Sequence, residues 1–128
     1  MRRRNPGAGM TCLALFLLAL MIQSEAALEP FEGKVAVAYV AVNRAEMSGT
    51  PVENVLRQSK QFALVPRLHI TESSWLAARI ALGHLQPDPT HGADHFYNPL
   101  VRPWPPWYDE RYVTVRIGRH VFLKLGGF

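Results

Sequence analysis

Three carboxylates crowd one short stretch of this 128-residue chain: Glu25, Glu29 and Glu32, within Ser24-Glu25-Ala26-Ala27-Leu28-Glu29-Pro30-Phe31-Glu32-Gly33. Glu25 stands at the polar end of an apolar run, and the other two follow across a proline break. At the edge of a greasy segment, desolvation disfavours the charged form of a carboxyl group, which can then hold its proton at neutral pH. Such a group can hand that proton to a leaving oxygen, the first requirement for cutting a glycosidic bond. A like charge on Glu29 or Glu32 would raise the Glu25 pKa further. For Glu32, opposing the dipole at the start of the next helix and a place in a substrate site are equally good accounts. From residue type alone, a solvated glutamate at a helix end is the commoner explanation of Glu25.

The elements that must position these groups are mostly helical. Thr11 to Ala27 is rich in Leu and Ala, without internal Gly or Pro, and is apolar all round through Ile22. It is therefore expected as a helix buried in a core or entering lipid, ending near Pro30. Glu32 to Arg44 is ambiguous, because its run from Val35 to Val42 suits a strand by composition, while Val35, Ala38, Tyr39 and Val42 share a helical face. Thr50-Pro51-Val52-Glu53 predicts a helix start with Thr50 as cap and Glu53 completing a capping box, and an end near Ser59. A further helix is predicted from about Glu72 to Leu82, with Thr71 as cap and Gly83 as its stop. Beyond Gln86, Asp88 to Gly92 is turn chemistry, Asp94 to Asn98 a short extended piece, and Tyr112 to Ile117 with His120 to Leu123 a hairpin about Gly118-Arg119. The expected fold is a small, mostly helical α+β single domain with a C-terminal β-hairpin.

Other residues invite chemistry. His91, His95 and His120 could make an open zinc site, but the four-residue spacing of the first two places ligands together only in a helix, and this segment carries turn residues. A place lining or bracing a cleft suits His95 and His120 better. Tyr97, Asn98, Trp104, Trp107 and Tyr108 are interleaved with prolines, as rings that stack on sugars and an amide that reads N-acetyl groups would be. A hydrophobic cluster beneath a long loop explains the same residues. Trp107 is expected to be the more structural and Tyr97 or Asn98 nearer substrate. No nucleophile elbow, phosphate loop or dinucleotide fingerprint occurs, which argues against a serine hydrolase or nucleotide enzyme.

The formal charge is +4, yet without Arg2, Arg3 and Arg4 only 11 basic residues face 10 acidic ones. The basic excess is an N-terminal feature, which suits transient membrane contact and not nucleic acid. Cys12 is the one cysteine, so no intrachain disulfide forms. Residues 1–9 are expected as a basic flexible tail and residues 10–128 as a catalytic domain. The basic tail, the apolar run over residues 10–22 and the small residues around Ser24-Glu25-Ala26 resemble an export signal, but cleavage after Ala26 would discard Glu25. That run is 13 residues, short of the ~20 a bilayer span needs.

These residues also carry a resemblance. Glu25-Ala26, Glu29-Pro30, Glu32-Gly33, Val35-Ala36-Val37 and Asn43-Arg44 resemble, in register, the acidic motif of the SleB-type cell wall hydrolases, the family of the spore-cortex-lytic enzymes. Leu18-Ala19-Leu20, Gln61-Phe62, Asp88-Pro89-Thr90, Gly92-Ala93, Phe96-Tyr97-Asn98-Pro99, Pro106-Trp107 and Ile117 to Phe122 extend the likeness over about residues 18 to 122. The resemblance implies a helix over the Val-rich segment and a lysozyme or lytic-transglycosylase-like fold. It implies cleavage of peptidoglycan glycan strands by a single glutamate, Glu25, acting as acid and then base. Glu32, Gln61, His95, Tyr97 and Asn98 are the expected substrate-binding residues, and no cofactor or metal is expected. Peptidoglycan is the expected partner of a monomer working in the cell envelope, outside the cytoplasm or held inside until release for lysis. The small size and lytic-type N-terminus suggest a phage or bacterial lysin. The family's Arg-Gly is replaced by Ala27-Leu28, its frequent aromatic residue before the glutamate by Gln23-Ser24, and its frequent serine by Ala63. These departures motivate a rival reading, a non-catalytic wall-binding protein on a decayed scaffold. A zinc-dependent amidase using the three histidines is a second, weaker rival.

Overall fold

The computed structural model describes residues 11–58 and 62–126, so the expectations for residues 1–9 and for Gln61 fall outside the described residues. Four α-helices come first: α1 (Cys12–Ala26), α2 (Phe31–Ser48), α3 (Val52–Arg57) and α4 (Glu72–Gly83). Three strands follow, β1 (His95–Tyr97), β2 (Val113–Ile117) and β3 (His120–Leu123), with a short 3-10 turn at Glu110–Tyr112.

The apolar run is the centre of the domain. In α1, Leu18, Met21 and Ile22 are fully enclosed, and they pack with Val37, Tyr39 and Val40 of α2, Val55 and Leu56 of α3 and Ala77, Ala78 and Ala81 of α4. Thr11 starts α1, its hydroxyl accepting the Ala14 N–H at 3.0 Å. The ambiguous Val-rich segment is helical, and every residue from Gly33 to Val42 is buried. Burial on all sides erases the periodicity that would have separated helix from strand. No helix among the described residues is long and apolar enough to cross a membrane.

Neither Thr50 nor Gly83 takes its predicted capping position. Thr50 does not cap α3: Pro51 occupies that position without a side-chain hydrogen bond, and Glu53 instead accepts the Thr11 hydroxyl at 3.1 Å. A tertiary contact to the start of α1 thus takes the glutamate that the local motif would have used. Gly83 belongs to α4, and His84 takes the left-handed stop at φ 50°. Its ring lies edge-on to Tyr39 at 5.7 Å and its Nε2 meets Glu46 at 2.8 Å, contacts that hold a conformation normally given to glycine.

The predicted hairpin is present, and the extended piece before it completes a three-stranded antiparallel sheet in the order β1-β3-β2. Phe96 pairs with Phe122 and Val115 pairs with Phe122 from the other side, with a bulge between Val113 and Val115. Phe122 faces the helical core, while Tyr97, Val121 and Leu123 form a second small core with Trp107 and Tyr108. The sheet therefore closes one side of the helices and carries its own aromatic cluster on the other.

Candidate active site

Glu25 lies in the last turn of α1 and is partly buried. Burial alone pushes its carboxyl up to about 7 from an ordinary 4.5. It makes no hydrogen bond or ion pair among the described residues. Such an acid is half protonated at neutral pH and unencumbered, which suits a proton donor. The expected assistance from neighbouring carboxylates is absent: neither Glu29 nor Glu32 contributes to the shift.

Glu29 is spoken for elsewhere. It is buried where α1 gives way to α2, and its Oε1 accepts the Arg119 N–H at 2.7 Å and the His120 Nδ1–H at 3.0 Å. The carboxylate lies so close over the β2–β3 turn that a Cβ on Gly118 would come within 2.6 Å of it. At φ +58° Gly118 also occupies the left-handed region, so both conformation and space call for glycine. Glu29 thus fastens the segment following Glu25 to the sheet.

Glu32 is exposed in the first turn of α2. It borders a groove of about 350 Å3 lined by Phe31, Val35, Gln86, Pro87 and Pro89. Glu25 is not among the residues lining that groove.

The remaining expected residues gather on β1 and its exit. His95 Nδ1 meets the Asp94 carboxylate at 2.8 Å, and its ring packs on Trp107 at 4.8 Å. Asp94 is fully buried and also accepts the Leu125 N–H at 2.9 Å and the Gly126 N–H at 2.8 Å. Burial raises the Asp94 pKa, but hydrogen bonds from His95, Leu125 and Gly126 outweigh it and hold the group below the ordinary carboxylate range. Tyr97 is buried edge-on against Trp107 and Tyr108. Asn98 closes a turn, its Oδ1 accepting the Leu100 N–H at 3.0 Å. Trp104 is the exposed aromatic of the proline-rich loop, at 72% accessibility. His91, His95 and His120 form no metal-holding group among the described residues. Two of the three instead pair with Asp94 and Glu29.

Several side chains that the sequence marked only as parts of a motif or a turn brace the site. Asn43 Nδ2 donates to Asp88 Oδ2 and to the Ala93 carbonyl, both at 2.9 Å. Asp88 also accepts the N–H and hydroxyl of Thr90 and the N–H of Gly92, and so organises the whole loop over residues 88–92. Arg44 is buried, with its Nε donating to the Asp94 carbonyl and its guanidinium over Phe62 at 4.8 Å. Asn43 and Arg44 together fix the entry to β1. Their signal was two polar residues ending an apolar helical run. Gln23 and Ser24 gave no comparable signal.

A family model described as Cell Wall Hydrolase matches residues 28–123, beginning just beyond Glu25. A spore cortex-lytic enzyme of Halalkalibacterium halodurans is 32% identical over 125 residues, which is 94% of this chain and 37% of that protein. The chain therefore spans little more than a third of that curated relative. Among solved structures, the catalytic domain of the germination-specific lytic transglycosylase SleB from Bacillus anthracis superposes with a TM-score of 0.79 at 28% identity, covering 91% of this chain and 98% of that one. The catalytic domain of Bacillus cereus SleB gives 0.79 at 29% identity, covering 97% and 100%.

Proposed function

Since the chain belongs to the cell wall hydrolase family, we propose that it cleaves peptidoglycan glycan strands with Glu25 as the single catalytic carboxylate. The observation that carries this reading is the state of Glu25: a helix-end carboxyl raised to about 7 by burial, with no hydrogen-bond partner among the described residues. The resemblance to SleB catalytic domains supports the substrate class.

In the first step the Glu25 proton passes to the oxygen bridging muramic acid C1 to the next sugar, and the C1–O bond breaks with its electron pair going to that oxygen. The ionised carboxylate then takes the proton of the muramic acid 6-hydroxyl as its oxygen bonds to C1. The product is an anhydro sugar, the proton returns to Glu25, and no second catalytic carboxylate is required. That economy fits Glu29, which is committed to His120 and the Arg119 N–H. If water replaces the 6-hydroxyl, the same residue produces a muramidase. The place of action is then the cell envelope, outside the cytoplasm.

The rival wall-binding reading rests on Ala27-Leu28 and gains one observation: Leu28 is 81% exposed beside the site. The test is incubation of purified sacculi with the wild type and with Glu25→Gln. The expected result is anhydromuramoyl fragments from the wild type alone. Equal release by both proteins removes Glu25 from the mechanism, and binding of sacculi without cleavage by the wild type supports the rival.

A further inference from the structure

Gln23 stands two residues before Glu25 in the last turn of α1. Its Oε1 accepts the Thr71 N–H at 3.1 Å, the Thr71 hydroxyl at 3.0 Å and the Ser74 hydroxyl at 2.8 Å, all at the start of α4. Thr71 consequently makes no side-chain cap for its own helix. Ser74 is wholly buried, so water cannot replace the acceptor it uses. The network extends through Ser73, whose Oγ lies 3.2 Å from the Thr71 hydroxyl and accepts from Lys34 of α2 at 2.8 Å. Ser24 is anchored on another flank, donating to the Leu20 carbonyl at 2.7 Å and accepting the Val65 N–H at 3.0 Å.

These anchors matter because α1 closes locally with little more than the Glu29 N–H on the Ala26 carbonyl at 3.1 Å. Its C-terminal cap, Ala27, stays in the right-handed helical region, and its last turn holds no basic residue. A helix end without a left-handed cap or a compensating cation frays readily. Successive residues on a helix project about 100° apart, so Gln23 and Ser24 tie one turn to two different segments. Building on the reading of Glu25 as the acid, we propose that Gln23 is a positioning residue whose Oε1 clamps the Glu25 turn to Thr71 and Ser74 and keeps the Glu25 carboxyl withdrawn from water.

All three hydrogen bonds fall on Oε1, and this asymmetry supplies the test. Gln23→Met removes the acceptor at similar volume, whereas Gln23→Glu retains it. The Glu25 side-chain carboxyl is titrated by carbon-13 NMR in each protein, beside the pH profile of glycan cleavage. Gln23→Met is expected to lower the Glu25 midpoint by about one unit, which cuts the protonated fraction at neutral pH about fivefold. Gln23→Glu is expected to keep the midpoint at or above the wild-type value. An unchanged midpoint in Gln23→Met, or an equal fall in both variants, overturns the clamp. Should Gln23→Met not fold, Thr71→Val with Ser74→Ala removes the two hydroxyl donors from the opposite side, leaving only the Thr71 N–H, and an unchanged midpoint there overturns it equally. The NMR midpoint does not require Glu25 to be catalytic. Activity retained by Glu25→Gln would therefore sink the proposed function while leaving the clamp to be judged by its own titration.

Discussion

Glu29 and His120, 91 residues apart in sequence, meet inside the protein at 3.0 Å. This contact joins the α1–α2 connection to the sheet. Burial drives the His120 pKa below its ordinary 6.5, against the pull of Glu29. Folded His120 therefore gives up its proton at lower pH than the unfolded chain does. Below 6.5 the unfolded state binds more protons, so acidification favours unfolding there. We expect the His120 contribution to unfolding free energy to fall as pH drops below that value, opposite in sign to that of Glu25, and His120→Gln, which can still donate to Glu29, to gain stability relative to the wild type as pH falls. Urea unfolding at several pH values checks this, and parallel profiles for the two proteins would refute it.

Gly118→Ala should be more damaging than a left-handed glycine usually implies. Strain at its φ of +58° costs about 1–2 kcal/mol, and the new methyl group would also displace the Glu29 carboxylate. Gly49→Ala is the control, since Gly49 has φ +66° with nothing within 4 Å of a new Cβ. Denaturant titration should find Gly118→Ala less stable than Gly49→Ala by at least about 1 kcal/mol. Equal losses would mean that the Glu29 contact has no energetic weight.

Glu25→Gln should separate activity from stability. Loss of the acid should slow glycan cleavage by on the order of 10²–10⁴, and the wild-type rate should decline above about pH 7 as the acid ionises. Because the folded pKa is raised from 4.5 to about 7, the stability that Glu25 contributes is greatest below the lower value and is lost as pH climbs through the upper one. At pH 8 the uncharged Glu25→Gln variant should thus be more stable than the wild type, by on the order of 1–2 kcal/mol after allowing for partial solvent contact. Thermal unfolding at pH 5 and pH 8 checks the sign, and an advantage for the variant only at pH 5 would contradict it.

Asp94→Asn should unfold the C-terminal edge. The fully buried carboxylate accepts from His95 and from the backbone N–H groups of Leu125 and Gly126. An amide cannot accept on both sides, and one stranded buried donor costs about 1–3 kcal/mol. Hydrogen exchange at Leu125 and Gly126 should accelerate together with that loss. Full protection at both amides would refute the assignment.

The helices were legible wherever a local signal survived: the Leu- and Ala-rich segment after Thr11 and the segment from Glu72 are both helical. Legibility failed where distant groups claimed the local ones. Glu53 went to Thr11 and Thr71 to Gln23, so neither formed the cap its sequence suggested. His84 ends α4 because Glu46 and Tyr39 hold it, and those contacts are invisible along the chain. The site shows the same division. The withdrawal of Glu25 from water follows from its place at the edge of an apolar run, whereas nothing near Glu29 in sequence announces His120 or Gly118. Tyr97 was expected nearer substrate, with a hydrophobic cluster as the other account, and it packs with Trp107 and Tyr108 in such a cluster.

The enclosure of Leu18, Met21 and Ile22 within α1 has a consequence for how such a chain meets a bilayer. The oily atoms that would partition into hydrocarbon are the ones the native domain needs at its heart. Lipid insertion of this segment and native assembly are mutually exclusive, and each must draw the peptide away from the other. A cut after Ala26 would remove Leu18, Met21 and Ile22 and leave the packed faces of the other helices without their centre.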